Sequence, residues 1–361
     1  MKRIKLLALI SALMLVFTAC TGDGNGDETT TTAADGGTDG NGNGEGDAGG
    51  TLAAVIEADQ IVCGVNDALP GFGVVDDTGT YNGFDIDFCR VVAAAVLGDA
   101  NKVEYFPLTA EARFPALQAG EIDLMVRNTT WTATRDGQEG ATFLFTTFFD
   151  GQGMMVPASS GFTELEDLAN ANICVLSGTT TELNLTAVFE ARGIPFNPQV
   201  FEDNTQLRPA YEGGTCEAWT SDASQLGSWK FTLENEGGEE QLIMDEIFSK
   251  EPLGPVVADG DTEWAQAVEW AVLATVQAWE FGLDSTNIGS YSGDDPNIQN
   301  FIAGGDIAAG LNLPADFAVQ VVEQVGNYAE IYNSYPELAP LDGSVNDLWT
   351  NGGLMYVPPF R

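Results

Sequence analysis

From residue 61 onward the chain alternates short apolar runs with turn-forming residues. Ile61-Val62-Cys63-Gly64-Val65, closed by Asn66-Asp67, has the length and side chains of a buried strand and its turn. A second turn at Asp76-Asp77-Thr78-Gly79 is followed by Gly83 to Cys89, which leads into Val91 to Leu97, apolar at the spacing of a buried helix. Lys102 to Phe106 predicts a strand, Glu111 to Ala119 a helix stopped by Gly120, and Ile122 to Val126 a third strand. This β-α-β-α-β order calls for a parallel sheet.

The pattern then repeats. Thr163 to Leu168 carries a helix-start signal, Asn172 to Leu176 predicts a strand, and a helix is expected from about Glu182 to Arg192, ended by Gly193 and Pro195. A strand at Pro198 to Glu202, a helix at Thr205 to Glu212 and a strand at Cys216 to Ser221 complete a second α/β lobe. Val256-Val257 returns to strand, followed by helices around Glu263–Phe281, Ile298–Ile302, Ala315–Tyr332 and Val345–Asn351. Two crossings between lobes, near Met154 to Pro157 and near Gly254 to Val257, make a hinge. The expected division is residues 51–156 and 255–361 for one lobe, the latter with a C-terminal helical extension, and 157–254 for the other.

The N-terminus follows different rules. Met1-Lys2-Arg3-Ile4-Lys5 precedes an apolar run, Leu6 to Phe17, interrupted only by Ser11 and too short for a permanent span. It ends in Phe17-Thr18-Ala19-Cys20, so residues 1–19 read as an export signal and Cys20 as a lipidation site. Thr21 to Gly50 is Gly, Asp, Asn, Thr and Ala with two Glu and no branched aliphatic side chain, a composition that cannot offset its ordering entropy. It is expected to be a disordered tether a few nanometres in reach. The chain is thus placed outside the cytoplasm, lipid-anchored on the outer face of the cell membrane or periplasmic.

Charge narrows the partners. The formal charge is -41, and loss of residues 1–19 removes three cations, giving -44 with ten of the thirteen Lys and Arg left. Such a surface repels nucleic acid and anionic lipid and favours a soluble monomer. Four cysteines remain in the body and allow three pairings; the oxidising compartment favours bridges, and position along the chain pairs Cys63 with Cys89 and Cys174 with Cys216, the alternative being buried free thiols.

Among so few cations, Arg113, Arg127 and Arg135 fall within 23 residues, and Arg127-Asn128-Thr129-Thr130-Trp131-Thr132 begins where the third strand ends. Ligands of open parallel sheets bind beyond the carboxyl ends of strands, where an arginine can grip a carboxylate with two parallel hydrogen bonds. The plain alternative for each is a structural ion pair. Ser177-Gly178-Thr179-Thr180 precedes a helix and offers amides and a dipole to an anion, or simply caps the helix. Asp222, just past a strand, suits an ammonium group. Together they offer both poles that a zwitterion needs.

Several longer motifs add specificity. Gly83-Phe84-Asp85-Ile86-Asp87, Gly120-Glu121-Ile122-Asp123 with Arg135 downstream, Ser177-Gly178-Thr179-Thr180 and Asp222 resemble the polar amino-acid-binding proteins of ABC importers, solute-binding protein family 3. Asp150-Gly151-Gln152-Gly153, Gly178 to Leu185, Ser249-Lys250-Glu251-Pro252-Leu253-Gly254-Pro255, Val325-Gly326-Asn327-Tyr328 and Gly352 to Pro359 resemble its general L-amino-acid branch. The resemblance, which runs from about Ala53 to Arg361, implies an α/β, two-lobed periplasmic-binding-protein fold of type II with a two-crossing hinge. It implies that Arg135 holds a ligand α-carboxylate with Thr130 and the backbone at Thr180, and that Asp222 takes the α-ammonium with Asn128 and Thr130. Leu69, Phe72, Phe114 and Trp131 become candidates for the side-chain wall. Leu69 stands where histidine- and lysine-type relatives carry a stacking tyrosine, while Arg113 and Arg127 suit a polar or acidic side chain; the alternative is broad specificity, with affinity drawn from the shared α-carboxylate and α-ammonium and only weak discrimination among side chains. The implied partner is an ABC importer permease.

The sequence has no histidine, so the commonest general base and metal ligand are missing, and neither a cofactor nor a metal is expected. Asp85 with Asp87, and Asp76 with Asp77, lack a calcium-loop pattern and read as turn or surface acids. Two rival functions remain on the same fold: an enzyme like cyclohexadienyl dehydratase, with Glu182 and Asp222 as the acids near the cleft, and a ligand-sensing domain. Turnover of arogenate would mark the first and a membrane signalling partner the second.

Overall fold

The computed structural model describes residues 50–361. The export signal, Cys20 and nearly all of the expected tether lie outside them.

Two five-stranded sheets form the body. The first runs in the order Val103–Pro107, Ile61–Val65, Leu124–Met125, Val256–Ala258, Ala141–Phe143, and the second Asn197–Phe201, Asn172–Leu176, Ala218–Asp222, Gln152–Pro157, Gln241–Ile243. In each, the first three strands are parallel, as the alternating pattern predicts. The pairings beyond them are antiparallel, because Val256–Ala258 and Gln152–Pro157 run against both of their neighbours, so both sheets are mixed rather than parallel throughout.

The chain passes between the sheets along Phe148–Asp150 and Glu251–Leu253, which pair antiparallel with Glu251 opposite Asp150. The outward crossing therefore precedes the expected one: Met154 to Pro157 already belong to the second sheet, where Met154, Met155 and Val156 are buried. Nothing in their apolar pattern separates a hinge strand from a core strand.

Local sequence accounts for most elements. The helix Phe84–Leu97 is almost entirely buried and stops at Gly98, whose left-handed φ of 66° lets its N–H reach the Ala94 carbonyl. It starts earlier than its apolar run, so Asp85 and Asp87 are not turn or surface acids but buried members of its first turn, where a helix N-terminus favours negative charge. Asp76 does sit in a turn, accepting from the N–H groups of Thr78 and Thr80. The expected helix over Ala315–Tyr332 divides into Phe317–Gln324 and Tyr328–Asn333, because Gly326 adopts a φ of 115° and Asn327 with Glu330 forms a capping box that opens the second segment. A helix at Ala223–Asn235, directly after Asp222, is new. The expected helix at Val345–Asn351 is reduced to a single 3₁₀ turn, Trp349–Asn351.

Cys63 bridges Cys89 and Cys174 bridges Cys216. Closing loops with sequence separations of 26 and 42 removes about 3 to 4 kcal/mol of unfolded-state entropy each in the chain-entropy model. The C-terminal segment is bound to the hinge. Asn346 accepts from the Phe149 N–H (2.7 Å) and donates to its carbonyl (3.1 Å), while the Tyr328 hydroxyl donates to the Thr147 carbonyl (2.8 Å). The Phe148 ring stacks on Tyr332 and meets the edges of Phe72 and Phe84.

Candidate functional site

Beyond the strand Leu124–Met125 the chain turns at Asn128, whose φ of 34° is tolerated because its N–H is held by the Asp85 carboxylate at 2.7 Å. Burial pushes the Asp85 carboxyl up to about 7, against the opposing pull of that N–H and of Arg127. The Asn66 amide donates to the Asn128 side chain at 3.3 Å. Next, Thr132 caps the helix Ala133–Gln138 by accepting from the Arg135 N–H. The Arg135 side chain folds back to donate to the Thr130 carbonyl (3.0 Å), and its guanidinium lies 5.5 Å from the Phe114 ring centre, the same distance as that of Arg113.

The opposing lobe contributes a helix start and a strand end. Gly178 takes a φ of 68°. A Cβ there would also meet Glu111 of the first lobe at 2.6 Å, so glycine permits both the turn and the close approach. Thr179 caps the helix Thr180–Arg192 by accepting from the Glu182 N–H, leaving the first amides, at Thr180 and Thr181, without an intrahelical acceptor. Glu182 itself accepts from the Gly178 N–H at 3.1 Å. At the end of Ala218–Asp222, the Asp222 Oδ2 accepts from Gln225 Nε2 at 2.6 Å, and Gln225 Oε1 accepts from the Ser221 hydroxyl.

These groups surround an enclosed cavity bordered by Asn66, Arg113, Arg127, Asn128, Thr130, Leu176, Thr179 to Thr181, Ser221, Asp222 and Gln225. At ≈ 20 Å³ it has room for about one water molecule, so a larger ligand is admitted only when the lobes part about the hinge strands. Its walls carry opposite, poorly satisfied charges. Arg113 is 2% exposed and makes only 3.4 Å contacts, to the Thr129 hydroxyl and the Gly178 carbonyl; its Nε has no partner. Burial, then the charges of Arg135 and Arg127, hold its guanidinium well below the usual arginine range. Asp222 is 4% exposed with Oδ1 unpartnered, and burial followed by the charges of Asp150 and Glu251 pushes its carboxyl well above the usual range. Arg127 is better accommodated: its Nε donates to the Leu108 carbonyl, and although burial lowers it to about 10, Asp85 and Asp67 oppose that shift. Among the described residues, no ion pair within 4 Å involves any of the three arginines.

The sequence-derived candidates divide three ways. Asn128, Thr130, Thr179, Thr180, Asp222, Arg113 and Arg127 border the cavity. Arg135 and Phe114 border the wider opening beside it, which shares Thr179 and Thr180. Leu69 and Phe72 do not form a wall: both are 0% exposed within the first lobe's core, where Phe72 packs on Phe84 and Phe148. Trp131 is also misplaced as a wall; it stacks on Phe143 and faces a separate surface groove with Phe149 and Pro252. Sequence reasoning missed Asn66, Ser221, Gln225 and, behind Thr180, the buried Glu251. Among the described residues no cluster of three His, Cys, Asp or Glu side chains is placed to hold a metal.

The chain matches the profile of bacterial extracellular solute-binding proteins, family 3, over residues 61–281. It is 43% identical to the general L-amino acid-binding periplasmic protein AapJ of Rhizobium johnstonii, across 86% of this chain and 93% of that one. It is 42% identical to the glutamate/glutamine/aspartate/asparagine-binding protein BztA of Rhodobacter capsulatus, across 86% and 93%. A solved ABC transporter periplasmic binding protein from Brucella ovis, with glutathione bound, superposes with a TM-score of 0.82 at 39% identity, covering 86% of this chain and 99% of that one. The chain belongs to family 3 of the bacterial extracellular solute-binding proteins and has their two-lobed, type II periplasmic-binding-protein fold.

Proposed function

We propose that the protein captures free L-amino acids outside the cytoplasm and delivers them to an ABC importer. The observation that carries this reading is the pair of buried groups of opposite charge, Arg113 and Asp222, each with an unpartnered polar atom and both bordering one cavity between lobes that meet at a two-strand hinge. A zwitterion with a further polar end satisfies such a site. In this reading Arg135 and the Thr180 amide take the α-carboxylate, and Asp222, Thr130 and Asn128 take the α-ammonium. Two poles account for Arg135 and Asp222 and leave Arg113 over, so acidic side chains and their amides are the favoured cargo. One relative is named as a general L-amino-acid-binding protein and another as a glutamate/glutamine/aspartate/asparagine-binding protein; the first supports amino acids as the cargo and the second supports acidic side chains and their amides among them. Closure about Phe148–Asp150 and Glu251–Leu253 then presents a two-lobed face to the permease.

The protein acts as an exported monomer anchored through Cys20, and as a binder without turnover. Glu182 is engaged in capping Gly178, and Asp222 is held by Gln225, which favours binding over acid catalysis. A thermal-shift screen of the purified protein against the twenty amino acids tests the reading: a ligand at a hundred times its dissociation constant stabilises by about 2.7 kcal/mol. Glutamate, aspartate, glutamine or asparagine should raise Tm in proportion to the logarithm of concentration. No shift with any amino acid, or release of product from arogenate, would overturn it.

A further inference from the structure

We infer that Glu251, a hinge residue, sets the direction of a hydrogen-bond relay that makes Thr130 an acceptor for the ligand's ammonium group. The inference rests on the functional reading above and adds a positioning residue to it. Glu251 is 1% exposed and lies on the return strand of the hinge, one residue before the Pro252 carbonyl that accepts from the Trp131 N–H at 2.8 Å. Its Oε1 accepts from Asn184 Nδ2 (2.9 Å) and the Ser249 hydroxyl (2.6 Å), and its Oε2 accepts from the Thr180 hydroxyl (2.8 Å). The Thr180 oxygen lies 3.3 Å from that of Thr130, on the opposite lobe.

A hydroxyl has one proton to give, and a carboxylate has none. With the Thr180 proton committed to Glu251, Thr180 can only accept from Thr130. The Thr130 proton then points across the cleft to Thr180, leaving the remaining Thr130 lone pair for a donor inside the cavity. An α-ammonium is such a donor; a carboxylate is not. The relay thus discriminates the polarity of the ligand, and it is complete only when the two lobes are together. A glutamine at position 251 would keep an acceptor for Asn184 and Ser249 while turning its amide N–H₂ to Thr180. That reverses the chain and aims the Thr130 proton at the ammonium.

A double-mutant cycle by calorimetry with L-glutamate tests this. Glu251→Gln and Thr130→Val should each weaken binding about tenfold, and the double variant should be within about twofold of the weaker single variant. Thr180→Val, which removes the relaying hydroxyl, should weaken binding about tenfold, and Thr180→Ser, which keeps it, should recover most of that loss. Because Thr180 is on a helix start facing the cleft, its variants keep the proposal testable if Glu251→Gln does not fold. Costs that simply add in the double variant, or Thr180→Val binding like the original protein, would overturn the relay while leaving the functional reading intact. Absence of binding of any amino acid to the unsubstituted protein would overturn both.

Discussion

Asp222→Asn should impair binding and stabilise the empty protein at once. In the folded chain the carboxylate is buried, one oxygen accepts only from Gln225, and Asp150 and Glu251 crowd it with like charge. Its pKa is raised on folding, so its contribution to stability is full while it is protonated, below the unfolded value, and is lost as pH rises through the folded value. Asp150, raised to about 6 mainly by burial, and Asp85, at about 7, act in the same direction. The ligand-free protein should therefore lose stability between weakly acidic and neutral pH, and Asp222→Asn should flatten that loss and raise Tm at pH 7.

Binding should move the other way. The asparagine oxygen can keep the Gln225 bond, which turns its N–H₂ toward the ligand and sets donor against donor. Losing one charge-assisted hydrogen bond costs about 1.5 to 3 kcal/mol, or roughly 10- to 150-fold in affinity. Thermal unfolding from pH 4 to 8 measures the first effect and calorimetry with L-glutamate the second. A variant that melts lower than the original at pH 7 would show that Asp222 is not strained in the empty site, and one that binds glutamate as tightly would show that Asp222 does not hold the ammonium.

Arg113→Ala should weaken glutamate by about tenfold or more while changing L-alanine affinity little, since only an anionic or amide side chain reaches that guanidinium; equal losses for both ligands in calorimetry would assign it to folding instead. Gly178→Ala places a methyl group against Glu111 at a left-handed φ, which should cost about 1 to 3 kcal/mol of closure and appear as faster glutamate release in stopped flow. Unchanged release rates would show that the lobes do not approach so closely. Reducing Cys174–Cys216 should lower unfolding free energy by about 3 to 4 kcal/mol in denaturant titration, against no change if the unfolded chain is already compact there.

The regular parts of the fold are legible because they repeat local signals. Ile61–Val65, Asn172–Leu176 and the glycine-ended helices could be placed from burial pattern and punctuation, and both disulfides join cysteines paired by position along the chain. The convergence of Asn128, Thr130, Thr180 and Asp222 on one cavity was legible because each sits in a loop or helix start that follows a strand. What failed depended on distant packing. Leu69 and Phe72 looked like wall residues, but hinge residue Phe148 and Tyr332 of the C-terminal segment extend the core of which they form part. Glu251 sits in a three-residue strand with no periodic signal, and only the meeting of hinge and second lobe buries it. Gln225 was hidden because Ala223–Asn235, with Gly227 inside it, lacks a clean apolar stripe. The break at Gly326-Asn327 did have a local signal, the Asn-to-Glu330 capping pair.

If the two lobes recognise both poles of one amino acid, ligands that lack either pole should lose most of their affinity. Calorimetry should give strong binding for L-glutamate. Affinity should fall about a hundredfold or more for N-acetyl-L-glutamate, which has no ammonium for Asp222, and for isoglutamine, whose α-carboxylate is replaced by an amide before Arg135. Comparable affinity for all three would show that the lobes do not grip the two poles of the ligand.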